Sequence, residues 1–401
     1  MCPVAGRATA ALAALRLTLG DLVRTHGDTY RRTHRLARVQ ERALAAIAAC
    51  RTAVLGGRRE TCDHCGASRI LYNSCRNRHC PTCQVQASAR WLDARRADLL
   101  PIPYFHVVFT LPHALNALAQ GNPRVIYTLL FRAAADTLLT FGRDPRHLGG
   151  TIGVTAVLHT WGQTLTQHVH VHCVVTGGAL SRDRRHWIRG RASFLFPVHA
   201  LAMVFRAKYL AGLQAALAHG DLTFAAGTAP LADRVQFAAF VTQLRATPWV
   251  VYAKRPFGGP THVLQYLSRY THRIALSNAR LISLADGVVR FHWKDYADRG
   301  RSKVMALDVD EFLRRVLLHV LPRGFVRIRH FGLLANAQRR TLIACAQHLL
   351  GVPPSAPATD AASIVDGDPT RCPFCHHGHW QVVEILRPPA PTRTPWTADT
   401  S

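Results

Sequence analysis

Residues 167–175 read QHVHVHCVV, with three histidines at every second position of an apolar run. Side chains on a strand alternate faces. His168, His170 and His172 therefore share one face, and Val169, Val171 and Cys173 share the other. The apolar face is suited to packing on a helix. The other face lines up imidazoles about 7 Å apart, and adjacent pairs can converge on one divalent ion. A lone histidine is more often structural; three at period two point to a metal platform on a rigid sheet. The preceding stretch GVTAVLHTWG (153–162) reads as a partner strand, and the link QTLTQ is short enough for a hairpin. His159 and Gln163, on that strand and turn, are candidate extra ligands.

The same pattern reading extends outward. PYFHVVFTLP (103–112) is strand-like and is followed by helical sequence to about residue 140. Residues 198–246 are mostly helical. The stretch 274–297 reads as paired strands turning at Asp286-Gly287, and 308–322 as a helix stopping at Pro322. The N-terminal stretch has helical spacing that ends on Gly56-Gly57. The tail from about 351 is rich in Pro, Ala and Thr and reads as loose, apart from one CPFC. No run is long and apolar enough for a membrane span. The N-terminus lacks the order of a signal peptide, so a cytoplasmic, nucleoid-associated location is expected.

Lys plus Arg number 50 against 23 Asp plus Glu, a formal charge of +27. Only four of those cations are lysines, Lys208, Lys254, Lys294 and Lys303. Exchanging Lys for Arg leaves charge unchanged, so it does not account for the shortage of acids. A surplus spread along the chain favours a polyanionic partner, most simply nucleic acid.

Five of the eleven cysteines fall between residues 62 and 83. In CDHCGASRILYNSCRNRHCPTCQ, Cys62/Cys65 and Cys80/Cys83 form two CxxC knuckles. Each points two thiolates at one ion, and together they make a tetrahedral S4 site that suits structural Zn²⁺. Cys75, His64 and His79 are surplus, either alternative ligands or neighbours. Arg69, Arg76, Arg78 and Arg90 read equally as phosphate contacts or as solvated charges on a zinc-stapled scaffold.

THVLQYLSRYTHR (261–273), read at 100° per residue, puts His262, Tyr266, Arg269, Tyr270 and Arg273 on one face and Val263, Leu264 and Leu267 on the other. Two tyrosines sharing a face with arginines look out on something polar and anionic. A phenol ionises near 10, and adjacent cations favour the phenolate. A tyrosine nucleophile beside a histidine-bound Mg²⁺ or Mn²⁺ describes a nickase that forms a phosphotyrosine. Lys294, in FHWKDYADRG (291–300), is a candidate for neutralising the scissile phosphate, against the simpler reading of a solvated turn.

HVHVHC followed by VVTGGAL resembles the HUH motif, two histidines flanking a hydrophobic residue. YLSRYTHRIALSN resembles the paired-tyrosine motif of rolling-circle transposases of the insertion-sequence ninety-one family. YNSCRNRHCPTCQ resembles that family's zinc module, and FLRRVLLHVLPRGFVRIRHFGLLAN its C-terminal motif. The resemblance runs from about residue 20 to about 345, with the motifs in family order. It implies an α+β fold: an antiparallel-sheet HUH core with flanking helices, plus a small N-terminal helical and zinc-knuckle module. It divides the chain into a basic helical region (1–58), a zinc-binding module (59–92), a catalytic domain (93–350) and a flexible tail with one CxxC (351–401). His170 and His172 become the HUH pair, with His168 a possible third ligand. Tyr270 and Tyr266 become the nucleophiles, Tyr270 first, with Arg269 and Arg273 beside them. The implied activity nicks and rejoins single-stranded DNA at element ends through a 5′-phosphotyrosine. The alternatives are a replication initiator or relaxase of the same chemistry, or a non-catalytic zinc-containing DNA-binding protein. The cluster Cys372, Cys375, His376, His377 and His379 in the tail is a possible second metal site beside the simpler reading of a loose end.

Overall fold

A computed structural model of the protein describes residues 16–96, 98–191, 193–254, 262–263, 275–352, 368 and 370–389. In chain order it opens with α1 (Leu19–Thr33) and α2 (Arg38–Ala49), then β1 (Gly57–Cys62), β2 (Ser68–Tyr72) and α3 (Pro81–Arg96). Next come β3 (Tyr104–Thr110), α4 (Asn116–Gly121), α5 (Pro123–Arg143), β4 (Gly153–Trp161) and β5 (Gln167–Thr176). The short β6 (Gly178–Leu180) and β7 (Trp187–Arg189) precede α6 (Val198–Ala218), α7 (Arg234–Ala246) and β8 (Val251–Lys254). The rest comprises β9 (Leu281–Ala285), β10 (Val288–Asp295), β11 (Arg301–Asp308), α8 (Val309–Leu317), β12 (Ile328–Gly332), α9 (Arg339–Leu349) and β13 (Trp380–Leu386).

The strand of alternating histidines is the middle of the main sheet. Its order is β12-β4-β5-β3-β8, with every neighbour antiparallel. Val169, Val171, Cys173 and Val175 of β5 are buried in the main core beside Leu130, Phe131 and Leu138 of α5 and Phe205 of α6. Each such aliphatic side chain contributes about 1.5–3 kcal/mol by leaving water. That face fixes the register, since a slip of one residue would turn the histidines into the core. Helix α5 is long and apolar enough to cross a membrane by length and composition alone. It starts on Pro123 at its first turn and buries Ile126, Leu130, Phe131 and Leu138 in this core.

At the far edge of the sheet, β12 pairs with β4 down to Gly332 opposite Gly153. Gly332 has φ +63°, and a Cβ there would sit 1.9 Å from the Ile152 carbonyl oxygen, so only glycine fits. The hairpin β9–β10 turns at Asp286 (φ 51°) and Gly287 (φ 72°), as Asp-Gly predicts.

A second core joins segments far apart in the chain. Leu19, Leu22, Leu44 and Ile47 of α1 and α2 pack with Cys80, Leu165, Phe291, Phe312 and Leu317. The N-terminal helices are thus built onto the β9–β11 sheet and α8, and the boundaries at 58 and 92 fall within one packed unit. α1 starts on a reciprocal cap in which Thr18 Oγ1 accepts from the Asp21 amide and the Asp21 carboxylate accepts from the Thr18 amide.

The expectation of a loose tail is corrected over residues 370–389. β13 pairs antiparallel with β1, Leu386 opposite Gly57 and Trp380 opposite Cys62, in a sheet of order β13-β1-β2. Arg58, assigned by the sequence to the helical region, lies in β1.

Candidate metal centre and zinc knuckles

The middle of the main sheet builds the histidine site. His159 on β4 stands opposite His170 on β5. His159, His170 and His172 bring one ligand nitrogen each to within 4.8 Å of one another. The Nε2 atoms of His170 and His172 are 3.1 Å apart. His170 Nδ1 lies 2.8 Å from the His168 carbonyl oxygen, so it carries the proton and donates, leaving Nε2 with a lone pair. Burial holds the His170 imidazole down at about 3, neutral at pH 7. Two imidazole nitrogens converging at this distance, joined by one from His159, make a donor set that fits a divalent ion when unprotonated.

His106 of β3 supports the pair from behind. Its Nε2 is 2.8 Å from His172 Nδ1, with the rings stacked at 5.1 Å. Burial, then the charge of Lys254, holds His106 at about 3. With Nδ1 held by His106, His172 turns its Nε2 to the site, the kind of backing contact that orients metal-binding imidazoles. Nothing in the local sequence singled out His106; its role depends on the register of β3 against β5.

The three histidines read as one row do not all converge. His168 turns toward His113, with Nδ1 to Nε2 at 3.2 Å, and His159 from the partner strand takes the third place. Trp161 stacks on His159 at 4.5 Å. An open cavity of about 280 Å³ lies above them, walled by Gln163, Trp161 and Tyr296. Tyr296, at the end of β10, is another wall residue that sequence reasoning missed. Arg280 fixes this wall, donating to the Gln163 and His292 carbonyl oxygens. Lys294 is exposed, and its backbone amide donates to Gln163 Oε1 at 3.4 Å.

Tyr266, Tyr270, Arg269 and Arg273 lie outside the described residues. Val263, three positions before Tyr266, is fully buried with Tyr104 and Val174. By strand parity these two side chains share the face of the sheet that carries His170 and His172.

Among the described residues eight cysteines form two clusters of four, which corrects the single site drawn from Cys62, Cys65, Cys80 and Cys83. Cys80 and Cys83 join Cys50 and Cys75; Cys62 and Cys65 join Cys372 and Cys375. Cys80 immediately precedes α3 while Cys62 ends β1, and each knuckle finds its partners where its own element packs. In the first cluster Cys83 Sγ is 3.5 Å from both Cys50 Sγ and Cys75 Sγ. Cys75, a surplus residue by spacing, is a full member, and Cys50 carried no spacing signal at all. His79 is committed elsewhere: Nε2 accepts from the Leu321 amide at 3.1 Å and Nδ1 meets Asn77 Oδ1 at 3.2 Å. Arg69 and Arg78 also have internal partners, Glu60 and the Phe325 carbonyl oxygen.

Two family models match in order: "Transposase zinc-binding domain" over residues 22–111 and "Putative transposase" over residues 153–341. The first spans the cluster of Cys50, Cys75, Cys80 and Cys83; the second spans the histidine hairpin. The chain is 48% identical to "Putative transposase y4qJ" of Sinorhizobium fredii over 378 residues, covering 92% of this chain and 95% of the relative. It is 28% identical to the transposase for insertion sequence element IS801 of Pseudomonas savastanoi pv. phaseolicola, covering 84% of this chain and 82% of the relative. No solved structure matches it. The zinc module, the transposase region and the near full-length likeness agree, and the chain belongs to the insertion-sequence ninety-one family of transposases.

Proposed function

We propose that this transposase nicks and rejoins single-stranded DNA at the ends of its element, with a tyrosine as nucleophile and a histidine-held divalent ion. The observation that supports it is the convergence of His159, His170 and His172, with the tautomer of His170 fixed by the His168 carbonyl. Mg²⁺ or Mn²⁺ held there would polarise the scissile phosphate and offset charge building on its oxygens. His159, His170 and His172 would hold the ion, His106 orients, and Trp161 and Tyr296 offer flat faces on which unpaired bases stack. The arginine surplus draws the phosphate backbone in.

Tyr270 or Tyr266 attacks phosphorus, losing its phenolic proton. The bond from phosphorus to the 3′ oxygen breaks, leaving a 5′-phosphotyrosine and a free 3′-OH. Attack by a 3′-OH on that phosphotyrosine reverses the step and rejoins strands. With two tyrosines, one enzyme holds two ends in turn.

A denaturing gel tests it. Labelled single-stranded DNA carrying the element's flanks is incubated with Mn²⁺ or Mg²⁺ and wild type, Tyr270→Phe, Tyr266→Phe or His170→Ala/His172→Ala. A slow, protease-sensitive band that needs metal and both histidines, and fades with a tyrosine change, is expected. A cleaved product bearing a free 5′-phosphate, undiminished in both tyrosine variants, would overturn the covalent step.

A further inference from the structure

We propose that the chain binds a second structural zinc ion, distinct from that of the N-terminal module, and that this ion clasps the tail to the N-terminal sheet through Cys62, Cys65, Cys372 and Cys375. The sulfurs are spaced for it. Cys62 Sγ lies 3.7 Å from Cys375 Sγ, and Cys65 Sγ 3.8 Å from Cys372 Sγ. Zinc–sulfur bonds of about 2.3 Å in a tetrahedron separate neighbouring sulfurs by about 3.8 Å, whereas a disulfide needs about 2.05 Å.

The two knuckles are built alike. The amide of Gly66 donates to the Cys62 carbonyl at 3.1 Å, and that of His376 to the Cys372 carbonyl at 3.0 Å. Gly66 (φ 70°) and His376 (φ 57°), each following its second cysteine, are both left-handed. Such a turn aims backbone amides at the sulfur. His64 and Cys65 donate to Cys62 Sγ at 3.4 and 3.5 Å, and Gly378 to Cys375 Sγ at 3.4 Å. Backbone amides directed at the sulfur are the contacts that a metal-bound cysteine accepts. The knuckles also press together: a Cβ on Gly378 would sit 2.5 Å from Cys62 Sγ.

The surrounding sheet needs the ion. Its hydrophobic centre holds Cys62, Cys372 and Trp380, while Val382, Val383 and Ile385 are exposed. Three strands with so small a core do not hold themselves together, and a metal is the usual staple. The clasp ties positions 313 residues apart.

The full-length protein, purified reduced, gives two readouts. First, zinc released by a thiol-specific mercurial is measured with a chromogenic chelator, which leaves histidine-bound metal out of account. Wild type should release two equivalents, and Cys372→Ser/Cys375→Ser one fewer. Equal release from both would overturn the proposal. Second, N-ethylmaleimide labelling of Cys372 and Cys375 in wild type should speed up at least about tenfold when a chelator is added. Equal rates with and without chelator, or protection relieved only by a reductant, would overturn it. This readout stands even if the serine variant does not fold.

Discussion

The histidine face of the main sheet and the cysteine sheet at the chain ends lie at opposite extremes of packing. β5 has a strand on each side and a helical layer beneath, and its histidine site is held by a register that the whole core enforces. β13 is an edge strand with five consecutive exposed residues over a three-residue core. In the first region the fold makes the site, because the core beneath it is stable without any ion. In the second the site makes the fold, because there is little else to bury. The Cys50/Cys75/Cys80/Cys83 cluster lies between these extremes, with its sulfurs set in the second hydrophobic core beside Leu44 and Ile47.

Removing ligands from each region, with activity and melting measured separately, distinguishes the two. His170→Ala/His172→Ala should cut nicking by at least about 10²-fold while shifting stability by about 1 kcal/mol. Collapse of the fold would show that the histidines are structural. Cys80→Ser/Cys83→Ser should instead destabilise the N-terminal core by several kcal/mol, of the order of losing a structural metal, read by loss of a cooperative melt. An unchanged melt would remove the metal from that core.

A finer test concerns the backing contact. His106→Ala should weaken Mn²⁺ binding about 10–100-fold, read by titration calorimetry, and His159→Ala should weaken it more than His168→Ala. The reverse order would restore the row of three histidines on β5 as the ligand set.

A pH series addresses the packing around the site. His319 is buried, with Nε2 donating to the Leu165 carbonyl at 2.9 Å and Nδ1 accepting from Thr160. Burial holds it at about 4, against about 6.5 in an unfolded chain. Its folded value is depressed, so below pH 6.5 the unfolded chain takes up the proton first. Its contribution is intact above pH 6.5 and is lost as pH falls toward 4, by about 3 kcal/mol. His319→Gln should flatten that part of the curve; an unchanged slope assigns the acid sensitivity elsewhere. The smallest effect is expected at Lys294. If it touches phosphate, Lys294→Ala lowers the salt slope of DNA binding by about one, and no change leaves it a solvated charge.

What the sequence determined by itself was local and periodic. Alternation at period two made 167–175 a strand with a histidine face, Asp286-Gly287 marked a hairpin, and CxxC spacing marked knuckles. Each follows from backbone geometry over a few residues. The tertiary structure decided which local pieces meet. Every CxxC is chemically able to complete any other, so spacing favoured the nearest pair. Packing instead sent Cys80 and Cys83 to Cys50 and Cys75 in the second core, and Cys62 and Cys65 across the chain to Cys372 and Cys375. The replacement of His168 by His159, and the support from His106, likewise came from the registers of β4 and β3 against β5. Strand register and knuckle pairing are set by burial of surfaces distant in sequence, and no short-range pattern carries that information.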